Sequence, residues 1–107
     1  MEARPRELLI FELESGRKPF SDWMDTLIDN PIYETILVRL ERVEDGNFGD
    51  CEPVGSGIHE LRINVGPGYR VYFGEDGDFV ILLCGGKKKT QERDINAARK
   101  LWDEYNA

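Results

Sequence analysis

Apolar positions along this chain recur with two different periods, and the switch between them divides the molecule. Residues 7–13, ELLIFEL, form a short apolar-rich run ended by Ser15-Gly16, which reads as a strand. From Phe20 to Asp29 the spacing is helical, with Phe20, Trp23, Met24, Leu27 and Ile28 on one stripe. Ser21 is placed to cap that helix and Asp22 to sit in its first turn. Asn30-Pro31 then starts a second helix, Asn as its cap and Pro at its first position. Ile32, Ile36, Leu37, Leu40 and Val43 carry it to Asp45, where Gly46 offers a stop. Two short helices in succession predict a helical hairpin.

Residues 46–57, GNFGDCEPVGSG, hold four glycines and a proline and read as a loop. Beyond it the period falls to two. In IHELRINV, His59, Leu61, Ile63 and Val65 share one face, and Glu60, Arg62 and Asn64 the other. After the turn signal Gly66-Pro67-Gly68, Tyr69, Val71 and Phe73 oppose Arg70 and Tyr72. Glu75-Asp76-Gly77 reads as a hairpin turn. The run FVILLC is apolar on both faces, which suits a central strand. Three strands joined this closely make an antiparallel meander. Thr90 is placed to cap a final helix, striped by Ile95, Ala98, Leu101, Trp102 and Tyr105. The order strand, two helices, three strands, helix is α+β.

Length adds that 107 residues make one domain, 1–107. No apolar run approaches the roughly 20 residues that span a bilayer, and the first residues do not read as a secretory signal. A cytoplasmic protein with no membrane association is expected. Cys84 closes the apolar run and reads as a small buried hydrophobe, while Cys51 lies in the polar loop. Two cysteines and the single His59 match no zinc spacing, so neither metal nor cofactor is expected.

The net charge of −7 speaks against a non-specific nucleic-acid binder. Its distribution changes that picture. Residues 1–55 hold 13 acids and 6 bases, and residues 56–107 hold 8 of each, with Lys87, Lys88 and Lys89 adjacent. A basic site in the second half is compatible with the acidic total.

That half also carries the candidate chemistry. Glu60, Arg62, Arg70 and Tyr72 fall on one sheet face, with Lys87–Lys89 at the end of the next strand. Arginine offers a planar fork matched to phosphate, lysine a compact charge, and tyrosine a ring or a hydroxyl. Bound to RNA, such groups would orient the 2′-hydroxyl and stabilise charge building on the scissile phosphate. Proton transfer would fall to Tyr72, Lys88 or Glu60 with shifted pKa. The same alternation also makes an ordinary solvated face with cross-strand pairs such as Glu60–Arg70. His59 lies on the core face, and Phe20, Trp23, Trp102 and Tyr105 read as core rather than as stacking platforms. The glycines match neither a P-loop nor a dinucleotide fingerprint.

The stretch GNFGDCEPVGSGIHELRINVGPGYRVYF, continued by LLCGGKKKTQERDINAA, resembles the addiction-module killer proteins, a branch of the RelE/ParE/HigB toxin superfamily that overlaps the phage Gp49-like group. The resemblance covers about residues 20–102. It implies an N-terminal helical hairpin packed on a small, mainly antiparallel sheet, with a C-terminal helix. It also implies a cognate antitoxin from an adjacent gene, often a helix-turn-helix protein, and action on the ribosome and its mRNA as an endoribonuclease without a metal. The ParE branch instead poisons DNA gyrase, and a third possibility is an attenuated toxin retained for antitoxin and operator binding. Carried over by residue, Arg62, Arg70 and Lys88 are implied to contact or polarise RNA phosphate. Tyr72 and Glu60 are further catalytic candidates, Lys87 and Lys89 RNA contacts, and Gln91 and Asp94 supports for the start of the last helix. Glu52 stands where relatives often have lysine. Lys87 and Lys89 stand where relatives have acidic and small polar residues.

Overall fold

The computed structural model describes residues 3–107. Strand β1 (Glu7–Ile10) is followed by helices α1 (Pro19–Asp25) and α2 (Ile32–Glu44). Strands β2 (Cys51–Pro53), β3 (Ile58–Ile63), β4 (Tyr69–Asp76) and β5 (Phe79–Lys87) come next, then a 3₁₀ turn (Lys88–Thr90) and helix α3 (Gln91–Tyr105). The architecture is mixed α+β: a five-stranded sheet of order β1-β5-β4-β3-β2 and three helices. β3, β4 and β5 form the expected antiparallel meander, and β1 adds parallel to β5. The apolar run FVILLC is thus interior, flanked by β1 and β4. No helix among the described residues is long and apolar enough to cross a membrane.

Several local expectations are corrected. α1 starts two residues before Ser21, because Pro19 has the backbone angle of a first helical position already set; Lys18, not Ser21, precedes it. α1 also ends at Asp25, so Ile28 lies beyond it and is 62% exposed. β3 ends at Ile63, which leaves Val65 in the turn and exposed instead of on the core face. The glycine-rich loop contains the short edge strand β2, with Cys51 half-buried on it and paired opposite Leu61. α2 begins at Ile32 with Pro31, not Asn30, in the cap position, although the Asn30 carboxamide oxygen still accepts the Ile32 amide at 3.0 Å.

Alternation gives the sheet two covered faces. On one, Leu61, Ile63, Tyr69, Val71, Phe73, Val80 and Leu82 pack against Phe20 and Met24 of α1 and Ile32, Ile36, Leu40 and Val43 of α2. On the other, Ile58, Tyr72, Ile81, Leu83 and Cys84 pack against Ala98 of α3, flanked by Ile95, Leu101, Trp102 and Tyr105. A bulge in β5 opposite Tyr72 and Phe73 shifts the alternation by one residue, so Leu83 and Cys84 both join the α3 side. Gly85 and Gly86 then fall on opposite faces. Trp23 of α1 lies where a Gly85 side chain would be, and the Asp94 carboxylate of α3 where a Gly86 side chain would be. The glycine pair lets helices on both sides touch the sheet backbone.

Candidate functional site

Glu60 is the centre of the polar patch. Its position on β3 directs it to the α3 face, where it pairs across the ladder with Tyr72 and is fully buried. Four groups converge on its carboxylate. Arg62 Nε donates to Oε1 at 2.8 Å, and Arg70 Nε lies 3.7 Å from the same oxygen. The Tyr72 hydroxyl donates to Oε2 at 3.1 Å, and Gln91 Nε2, from the first residue of α3, donates to Oε2 at 2.7 Å. Burial pushes the Glu60 pKa up, but hydrogen bonds from Arg62, Gln91 and Tyr72 outweigh it and hold the group below the ordinary carboxylate range. Glu60 is therefore an anion that accepts three hydrogen bonds, with Arg70 Nε beside it but not hydrogen-bonded.

The sheet register sets the rest. Arg62 and Arg70 stand directly opposite each other on β3 and β4, and the shared carboxylate between them offsets their repulsion. They differ in exposure: the Arg62 side chain is 34% exposed and that of Arg70 is 5%. Arg70 Nη1 donates to the Tyr69 carbonyl at 3.1 Å and to Asn64 Oδ1 at 3.4 Å. Asn64 in turn donates to Asp50 Oδ2 at 2.8 Å. Beneath Arg62, Arg39 of α2 donates to the Arg62 carbonyl at 2.5 Å and to the carbonyls of Phe48 at 3.1 Å and Asp50 at 3.3 Å. This ties the glycine-rich loop to the strand that carries the site.

Lys88 joins from the other side. Its amide donates to the Gly68 carbonyl at 3.0 Å, which fixes the 3₁₀ turn against the β3–β4 turn. Gly68 has φ +82°, and a side chain there would stand 3.2 Å from Lys88 Cβ and 3.6 Å from Arg70 Nη1. The glycine leaves the space between Lys88 and Arg70 open. Lys87 and Lys89 are exposed but placed differently. Lys87 pairs with Tyr69, a register position of the opposite sheet face, and Lys89 lies beside Thr90, Glu92, Arg93 and Asn96 at the start of α3. Thr90 Oγ1 donates to Asp94 Oδ2 at 2.6 Å, so Asp94 braces that helix start as expected.

The structure thus brings together Glu60, Arg62, Arg70, Tyr72 and Lys88 and leaves Lys87 and Lys89 outside. The patch is not the ordinary solvated face that alternation also allowed, since Glu60, Arg70 and Tyr72 are buried. Tyr72 is fully buried, and its hydroxyl pKa is driven up by desolvation and by the Glu60 charge. Glu60 and Tyr72 therefore satisfy each other and are poorly placed to exchange protons with a ligand. Sequence reasoning missed Gln91, Asn64, Asp50 and Arg39 as members of the network. Asn64 was visible by alternation on the arginine face, whereas Arg39 and Asp50 meet the strand only through tertiary packing. His59 is half-buried, stacked on Phe73 with ring centroids 5.3 Å apart, and burial lowers its pKa. Among the described residues no group of three or more His, Cys, Asp or Glu side chains is disposed to hold a metal.

Comparison with known proteins follows the same residues. A protein of Haemophilus influenzae described as uncharacterized is 46% identical over 86 residues, covering 79% of this chain and 87% of its own length. No solved structure matches. The family model for the phage derived protein Gp49-like group (DUF891) matches residues 22–103, from α1 to the last turn of α3 and including the whole charged network. The chain belongs to the Gp49-like family, which is associated with the toxins of toxin–antitoxin systems.

Proposed function

We propose that this protein is the toxin of a type II toxin–antitoxin module, with the RelE/ParE/HigB arrangement of helices on a sheet, and that it cleaves translated mRNA on the ribosome. The observation that carries this reading is the placement of Arg62 and Arg70 on one buried anion at the edge of the α3 face, with Lys88 facing Arg70 across Gly68. Arg62 and Lys88 present charge to solvent and would grip the scissile phosphate. Arg70 adds its charge from beneath, held in place by Asn64 and the Tyr69 carbonyl. Fixed cations aimed at the phosphate stabilise the charge that grows on its oxygens during attack by the 2′-hydroxyl, and supply the electrostatic part of catalysis without a metal. Glu60 and Tyr72 act as positioning residues: the carboxylate orients both arginines, and the buried hydroxyl and Gln91 orient the carboxylate. Of the three proton-transfer candidates, Lys88 is the one whose side chain is exposed, and it is assigned as donor to the 5′-oxygen as the P–O5′ bond breaks, while the attacking 2′-hydroxyl gives its proton to water. The antitoxin is a protein from an adjacent gene that covers this face or the acidic helical side.

The test is controlled expression of the chain alone in bacteria, with mapping of mRNA 5′ ends and parallel Arg62→Ala and Lys88→Ala variants. Growth arrest with new codon-phased 5′ ends, lost in both variants, is expected. Arrest without new ends would remove the nuclease assignment and favour a gyrase poison. No arrest would favour a chain kept for antitoxin binding.

A further inference from the structure

Three carboxylates, Glu60, Asp50 and Glu52, act on the Arg62 charge, and one of these plays no part in holding the fold. Glu60 is committed to both arginines, and Asp50 accepts from Asn64, which holds Arg70. Glu52 differs. It sits on edge strand β2 directly opposite Glu60, so the ladder places it on the Arg62 face, while the Arg62 amide bonds the Asp50 carbonyl at 2.9 Å one step along. Glu52 is exposed and makes no hydrogen bond or ion pair among the described residues. Its charge nonetheless acts on Arg62 in the same sense as those of Glu60 and Asp50.

We propose that Glu52 is an electrostatic restraint on the site: its unpaired carboxylate repels a phosphate chain from the β2 side of Arg62, weakens RNA binding, and biases the bound strand toward Lys88. The proposal rests on the reading that this face grips RNA phosphate. Physical chemistry makes the effect modest and tunable. An exposed charge a residue or two from a bound phosphate acts through water, so its influence lies within a few-fold and fades as salt shortens the screening length. A carboxylate with no structural partner can also be changed without disturbing the fold, which is not true of Glu60 or Asp50.

Fluorescence anisotropy of a labelled single-stranded oligoribonucleotide would test this with the full chain, its Glu52→Gln and Glu52→Lys variants, and Arg62→Ala. Urea unfolding would verify that the Glu52 variants keep the wild-type midpoint. Expected is a tightening of about two- to fivefold for Glu52→Gln at about 50 mM salt, larger for Glu52→Lys, shrinking toward equality near about 500 mM. Equal or weaker binding by Glu52→Gln, alongside wild-type binding that Arg62→Ala loses, would overturn the restraint and leave the phosphate-gripping reading standing. Binding that is absent, or indifferent to Arg62→Ala, would overturn both.

Discussion

Replacement of Glu60 by glutamine tests whether the buried carboxylate is what organises the site. The amide keeps the shape but removes the charge, and it turns one of two acceptor oxygens into a donor. That donor would then face either the Arg62 and Arg70 nitrogens at 2.8 and 3.7 Å or the donating Tyr72 hydroxyl and Gln91 amide at 3.1 and 2.7 Å. The first orientation sets donors against donors, and the second requires the Tyr72 hydroxyl to accept and the Gln91 carboxamide to flip. Arg62 is partly exposed and can turn to water, but the Arg70 side chain is 5% exposed and would keep a buried charge with its main counter-ion gone. Breaking a buried pair by removing one partner costs about 3 kcal/mol. With a urea m-value of about 1.5 kcal/mol/M for a domain of this size, the midpoint should fall by about 2 M. The pH profile gives an independent check. Because the folded pKa of Glu60 is depressed, its contribution is present above the unfolded value of about 4.3 and is lost as pH falls below it toward the folded value. Wild-type stability should therefore decline more steeply than that of Glu60→Gln below about pH 4.3. A Glu60→Gln midpoint within about 0.3 M of wild type, with the same acid profile, would refute the organising role.

Three further outcomes follow from the packing. Gly86→Ala places a methyl on the Asp94 carboxylate and should cost about 2 kcal/mol in urea unfolding, while loosening the start of α3 as read by hydrogen exchange. Arg39→Met removes the donors to the carbonyls of Arg62, Phe48 and Asp50 and should cost about 2 kcal/mol, with faster amide exchange in residues 46–53 than in α2. Desolvation pushes the Cys84 thiol up to about 12 and that of Cys51 up to about 11, so neither should react quickly with a disulfide reagent at pH 7. Half-buried Cys51 should label first in the native protein and buried Cys84 only on unfolding, and rapid native labelling of Cys84 would contradict its packing.

What the sequence determined by itself was the local grammar. Alternation in IHELRI and YRVYF placed Glu60, Arg62, Arg70 and Tyr72 on one face, because successive side chains of a strand must point to opposite sides. The double-sided apolarity of FVILLC marked an interior strand, and the α3 stripe marked its buried side. Only the tertiary structure decided which charges were accessible. Periodicity sees one chain neighbour at a time, so it could not show that α3 closes over Glu60 and brings Gln91 to it from 31 residues away. Nor could it show that Arg39 bonds a strand 23 residues on, or that a bulge in β5 turns Gly85 and Gly86 toward different helices. The short β2 was hidden for the same reason. A three-residue strand among glycines has little propensity of its own, and it exists because β3 offers it a ladder. That ladder sets Glu52 opposite Glu60, on the same face as Arg62.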